Sequence, residues 1–288
     1  GLAVVEERDC DIRGGCLGQA HGVAVGLVIG IVGAVDHHFV ELSFVLLTAW
    51  LGLAFFEDST SRGTAVALGV ALGVAPAFHN SMFVLQLPLL LAAGICWLRG
   101  FPLDSRGARI VAGSLVGACL VFLLPSETFQ AMQFEFATHS WFHLYVSVAT
   151  AVVIFTMAGL EFSVKRLGIV AVVALVMALP LGIEFLKGAD FLGGKTVLLD
   201  RINEVRSPLE MFMRSRDPLA VTRYFSWLIL LSPVVMVFYT VGLFRVRSAR
   251  QIFFCSAVVF GVLLLLAQFR FHPFGYWALL LASLHLLQ

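Results

Sequence analysis

The sequence predicts an all-α, polytopic membrane protein of about ten transmembrane helices. Three observations carry this. Of 288 residues, 60% are hydrophobic and only 13% are charged, about half the charged share of a soluble domain. The mean hydropathy is +0.95. The apolar residues fall into runs approaching the roughly 20 residues that the hydrocarbon core of a bilayer demands of a helix. No polar block is large enough for a separate soluble core, so residues 1–288 read as one transmembrane domain. A net charge of +1 argues for no nucleic-acid partner.

Taken in order, the runs and their breaks give spans at 18–35, 39–56, 64–78, 81–98, 108–124, 141–161, 167–186, 223–244, 251–268 and 271–288. Gly-rich stretches at 22–33 and 63–73 predict close helix packing. Pro180 and Pro233 fall inside spans and predict kinks. Cys10, Cys16, Cys96, Cys119 and Cys255 have no Cys-x-x-Cys spacing, which points away from a disulfide framework or a zinc site. The chain lacks an initiator Met and a signal-peptide pattern and stops inside an apolar run, so it reads as a fragment lacking both ends.

The connecting segments alternate in charge. Arg8, Arg13, Arg62, Arg99, Arg106, Arg109, Lys165, Arg166, Arg245, Arg247 and Arg250 fall on one side, which the positive-inside rule makes cytoplasmic. The other side holds short breaks at 36–38, 79–80 and 269–270, a loop at 125–140 and a long loop at 187–222. Seven of its eight basic residues crowd into the long loop and its edge (Lys187, Lys195, Arg201, Arg206, Arg214, Arg216 and Arg223), mixed with five acids. Such a loop either handles an anion or solvates itself.

Four outward patches hold the candidate chemistry: Asp36-His37-His38 with Glu41; the stretch from Phe134 to His143; Arg201-Ile202-Asn203-Glu204; and Gln268-Phe269-Arg270-Phe271-His272. Asp36, His37, His38 and Glu41 offer carboxylate and imidazole donors to a divalent cation or a proton. Each patch also has a plain structural reading. Asp36 suits a helix N-cap, with His37 and Glu41 paired one turn apart. Trp141 and Tyr145 suit an interfacial belt, His139 and His143 an i,i+4 pair, and Arg270 an interface anchor.

Together the patches resemble the membrane domain of the oligosaccharyltransferase catalytic-subunit family, which moves a glycan from a polyprenyl diphosphate carrier to an acceptor asparagine. The resemblance implies that Asp36 and His38 ligate Mn²⁺ or Mg²⁺, with His37 less directly involved, and that Asp36 and Glu204 are catalytic. Arg201-Ile202-Asn203-Glu204 keeps the Ile and Glu of the family's Thr-Ile-x-Glu motif and lacks its Thr. Arg270 matches the arginine that faces the carrier diphosphate, and His143 and His272 are further candidates. The implied partners are a lipid-linked oligosaccharide, an acceptor polypeptide and membrane lipid. The implied setting is a prokaryotic inner or plasma membrane, with the active site on the external face. The family's first external Asp is expected before Gly1, and its Trp-Trp-Asp motif after Gln288.

Two alternatives stay open on the residues themselves. One is another polyprenyl-linked sugar transferase, acting on hydroxyl groups. The other is a cation transporter using Asp36, His37 and His38, which the boundary position of these residues and the lack of inverted repeats disfavour.

Overall fold

The computed structural model describes residues 37–101, 103–187, 207–268 and 271–286. The chain divides into two units, Gly1–Val40 and Glu41–Gln288, and apart from the first four residues of α1 the described elements belong to the second. Its elements are helices α1 (His37–Glu57), α2 (Arg62–Phe78), a 3₁₀ stretch (Asn80–Leu85), α3 (Gln86–Leu98), α4 (Ser105–Leu123), the one-turn α5 (Glu127–Gln130), α6 (Trp141–Gly159) and α7 (Val164–Lys187). They continue with α8 (Pro208–Ser215), α9 (Pro218–Phe225), a second 3₁₀ stretch (Trp227–Leu231), α10 (Ser232–Arg245), α11 (Ala249–Ala267) and α12 (His272–Leu286). Among the described residues, seven helical segments are long and apolar enough to cross a membrane, and α2, at 17 residues, is a shorter apolar helix. These segments correspond to the predicted spans at 39–56, 81–98, 108–124, 141–161, 167–186, 223–244 and 251–268. The span at 18–35 lies outside the described residues, and 271–288 is represented by the 15 residues of α12.

Local chemistry sets the helix starts. Asp104, Ser140 and Ser248 cap α4, α6 and α11 by accepting hydrogen bonds from the amides of Gly107, Phe142 and Gln251. The long loop is partly helical. Ser207 and Asp217 cap α8 and α9, each with Pro in the first turn, where its missing N–H costs nothing. Pro233, expected as a kink, likewise stands in the first turn of α10, after the 3₁₀ stretch, whereas Pro180 lies within a continuous α7. In the turn between α1 and α2, Asp58 accepts hydrogen bonds from the Thr60 hydroxyl at 2.6 Å and the Thr60 amide at 3.0 Å. These bonds hold its carboxyl below its ordinary range.

Packing follows the small residues. Gly69 and Gly73, one turn apart on α2, let α4 approach so closely that a Cβ on Gly69 would lie 2.6 Å from the Val111 carbonyl oxygen. A Cβ on Gly73 would strike the Leu115 carbonyl oxygen and lie 3.0 Å from Ala118 Cβ. Gly261 and Gly275 bring α11 and α12 together in the same way. The main core joins Phe55, Leu68, Leu72, Leu89, Leu115, Ile252 and Val258, and Phe56 stacks on Phe253 with ring centroids 5.1 Å apart. Lipid in turn receives the outer faces of α7 and α10, where Val172, Leu175, Val176, Leu179, Val234 and Val237 are exposed.

Polar contacts gather at two sets of helix ends. At the predicted cytoplasmic ends, Arg250 pairs with Glu57 at 2.9 Å, Arg99 donates to the Leu243 carbonyl at 3.1 Å, and the Asp104 amide donates to Ser59 Oγ at 3.0 Å. At the other ends, Glu41 pairs with His79, and Asn80 bonds to Ala137 and His143.

Two outcomes follow. With Cys10 and Cys16 replaced and Cys96, Cys119 and Cys255 buried, a cysteine at exposed Glu135 and one at exposed Arg106 will be modified by a membrane-impermeant maleimide from opposite sides of sealed vesicles. Gly73→Val will cost roughly 1–3 kcal/mol by overpacking, read as a lower melting temperature in detergent. Gly113→Ala on α4, where a Cβ meets nothing within 4 Å, will change stability by no more than about 1 kcal/mol.

Candidate functional site

Helices α3, α6 and α7 do not close against one another along their whole length. They leave a cavity of about 640 Å³, capped at one end by the 3₁₀ stretch, the 134–143 loop and Phe271 just before α12. The helical register explains the opening. Val146, Ala149, Thr150 and Val153 line it from α6, and Ala174, Met177, Ala178 and Leu181 from α7, each set recurring at i, i+3, i+4 and i+7. Alanine at 149, 174 and 178 leaves space where larger side chains would meet. Glu184, buried within α7, follows Leu181 by one turn on the same face.

The cavity is apolar in its depth and polar at one end. Leu90, Val153 and Ala174 line it a turn or more along their helices from that end, and His79, Asn80, Ser81, Gln86 and Gln268 contribute the polar groups. His79 Nδ1 lies 2.8 Å from Glu41 Oε1 and 2.7 Å from Ser81 Oγ. A carboxylate only accepts, so Nδ1 carries a proton directed to Glu41. The Glu41 side chain is 2% exposed and that of His79 22%, so the carboxylate is the hidden member of the pair and the imidazole the outward one. Two acceptors near this end, Asn80 Oδ1 and Gln86 Oε1, are buried with no hydrogen-bond partner among the described residues. The Gln86 amide nitrogen is occupied, donating to Ser147 Oγ at 3.2 Å. Buried acceptors of this kind call for water or a ligand that donates to them.

The 134–143 loop is fixed to this end by its own chemistry. Ser140 Oγ accepts from the Glu135 and Phe142 amides at 3.0 and 3.2 Å and donates to the Glu135 carbonyl at 2.5 Å. His143, wholly buried, donates from Nε2 to the Asn80 carbonyl at 3.0 Å, and Asn80 Nδ2 donates to the Ala137 carbonyl. His143 therefore ties α6 to the 3₁₀ stretch as a positioning residue. His139 precedes α6 rather than belonging to it, and the two imidazole centroids are 6.1 Å apart. Trp141 is stacked on Phe129 at 4.6 Å and donates to its carbonyl at 2.9 Å, which fastens the loop to the start of α6.

Of the residues singled out from the sequence, Asp36, Glu204 and Arg270 lie outside the described residues, as do the side chains of His37 and His38. Among the described residues no three His, Cys, Asp or Glu come together to hold a metal ion. His272 opens α12 beside Tyr276, with centroids 5.9 Å apart, next to the cavity-lining Phe271. The sequence reading missed His79, Asn80 and Gln86. Their signal was the polar His79-Asn80-Ser81 break between two apolar runs, read only as a boundary between spans.

Neither family models nor curated proteins show a match to the sequence. Among solved structures, the chain is similar to the oligosaccharyltransferase of Archaeoglobus fulgidus in its apo form, with a TM-score of 0.51 and 17% sequence identity. The match covers 86% of this chain and 32% of that one. At this identity the likeness is one of fold. The all-α, multi-pass membrane architecture described above is thus similar to part of an oligosaccharyltransferase, and the resemblance carried by the four sequence patches holds at the level of the fold.

Proposed function

We propose that this chain is the membrane part of a glycosyltransferase that moves an oligosaccharide from a polyprenyl diphosphate carrier to an asparagine of an acceptor polypeptide, on the non-cytoplasmic face. The observation that carries the reading is the cavity, apolar between α3, α6 and α7 and polar where His79, Asn80 and Gln268 meet. A polyprenyl chain needs an apolar groove, and its diphosphate and glycan need donors and acceptors at the boundary. An amphipathic lipid asks for both in one continuous space. The fold likeness to an oligosaccharyltransferase supports the same reading.

In this reading Asp36 and His38 hold Mn²⁺ or Mg²⁺, which would offset charge developing on the leaving phosphate. Arg270 clamps the diphosphate with a forked, permanently charged donor set that lysine does not reproduce. Glu204 accepts hydrogen bonds from the acceptor amide and orients a weak nitrogen nucleophile. Asn80 Oδ1 and Gln86 Oε1 offer acceptors to donor groups near the head of the carrier, such as sugar hydroxyls.

Glycan transfer from a lipid-linked oligosaccharide to an Asn-x-Ser/Thr peptide, measured with the purified protein, tests this. Arg270→Ala will weaken donor use by roughly 10²-fold or more, if it removes an anion-stabilising group. Glu204→Gln will lower kcat or acceptor affinity and leave donor affinity nearly unchanged, and chelation will abolish turnover until Mn²⁺ or Mg²⁺ is restored. Transfer left intact by both substitutions overturns the assignment, and transfer surviving chelation overturns its metal part.

A further inference from the structure

A second cavity, of about 470 Å³, lies between α10, α11 and α12 and shares no lining residue with the first. Its α10 wall is Phe238, Val241, Gly242 and Arg245, which recur at i, i+3, i+4 and i+7 along one face. Tyr239, itself buried, donates from its hydroxyl to the Ala282 carbonyl at 3.2 Å and lies 2.8 Å from His285 Nδ1, which ties α10 to α12 at the cavity. Phe238 and Val241 are exposed on the lipid-facing side of α10, so the cavity opens on hydrocarbon. An apolar recess left empty there would forfeit the dispersion contacts of its lining, and an acyl chain restores them.

The rim of the recess is cationic. Arg245 ends α10 and with it the apolar segment Trp227–Arg245, so it stands where hydrocarbon gives way to headgroups. Its side chain is exposed and has no ion-pair or hydrogen-bond partner among the described residues. Arg250, by contrast, is held by Glu57 and Arg99 by the Leu243 carbonyl. From Pro218 to Gln288 the sequence holds no Asp or Glu, and Arg247 is exposed two residues beyond Arg245.

We propose that this cavity is a binding site for an anionic phospholipid, with an acyl chain in the recess between α10, α11 and α12 and the headgroup phosphate against Arg245. A guanidinium matches phosphate oxygens with two parallel donors, and a basic pocket between membrane helices selects anionic headgroups. Arg245 lies at the helix ends that loop charge predicts to be cytoplasmic, away from the outward patches assigned to the glycan carrier, so its occupant comes from the bilayer itself. The site stands whether or not the chain transfers glycans.

The test is native mass spectrometry of the purified protein with phosphatidylglycerol and phosphatidylcholine of matched acyl chains. The unsubstituted protein will retain one phosphatidylglycerol roughly fivefold or more over phosphatidylcholine, as one basic residue at the headgroup level gives. Arg245→Ala will bring the two lipids within about twofold of each other. Arg62→Ala, an equal loss of charge at an exposed residue outside the cavity, will leave the preference in place. Val241→Trp, which fills the recess, will reduce retention of both lipids. In the unsubstituted protein, phosphatidylglycerol with a diazirine on its acyl chain will label peptides containing Phe238, Val241 or Phe254, a readout that needs no variant to fold. Equal retention of the two lipids would overturn the proposal, as would labelling that avoids these peptides. The same loss of preference from Arg62→Ala would overturn it by showing a diffuse field rather than a site. Displacement of phosphatidylglycerol by equimolar polyprenyl diphosphate would overturn it by assigning the cavity to the carrier.

Discussion

A carboxylate buried among membrane helices has to be given a partner within reach of its own side chain, and for Glu41 one such partner is His79. This one constraint organises the polar end of the structure. It binds α1 to the point where α2 ends, so the chain leaves α2 at His79 in an extended conformation and re-enters the bundle as the tighter 3₁₀ stretch Asn80–Leu85. That stretch delivers Asn80 to Ala137 and His143, which in turn fixes the 134–143 loop over the head of α6. The polar end of the cavity is thus tied together by a chain of hydrogen bonds that leaves the Asn80 Oδ1 and Gln86 Oε1 acceptors for water or a ligand.

The apolar depth of the cavity has a different origin. Between α2 and α4, glycines at 69 and 73 bring the backbones together and leave no room. Between α6 and α7, alanines at 149, 174 and 178 shorten the side chains without the same approach, and a space persists. Small residues therefore produce contact at one helix pair and a groove at another, according to whether the backbones meet. The outer face of α7 is exposed along most of its length, so a single helix separates the groove from lipid.

How much of this was legible in the sequence follows from what each signal depends on. Most of the spans could be read because hydropathy and length are properties of a single segment, and the Gly-rich stretch at 63–73 announced close packing for the same reason. Helices α8 and α9 were also local and still passed unread inside a loop, although Ser207-Pro208 with Glu210 and Asp217-Pro218 are helix-start signals. The cavity could not be read, since it arises from the mutual register of three helices far apart in sequence. The role of Glu41 was hidden for a related reason. Its partner stands 38 positions later, at a break that hydropathy marks only as an end. Asp36, Glu204 and Arg270 were reached through motifs and stand on that resemblance.

The central claim is that the lipid part of the proposed substrate occupies the groove between α3, α6 and α7 with its charged head at the groove's polar end. Photo-crosslinking with a polyprenyl diphosphate that carries a diazirine on an isoprene unit distant from the phosphates tests it most directly. Labelled peptides are predicted to contain Leu90, Val153 or the Ala174–Leu181 face of α7, with competition by unmodified polyprenyl diphosphate. Labelling concentrated instead on the exposed surface of α10, around Val234 and Val237, and insensitive to competitor would contradict the account.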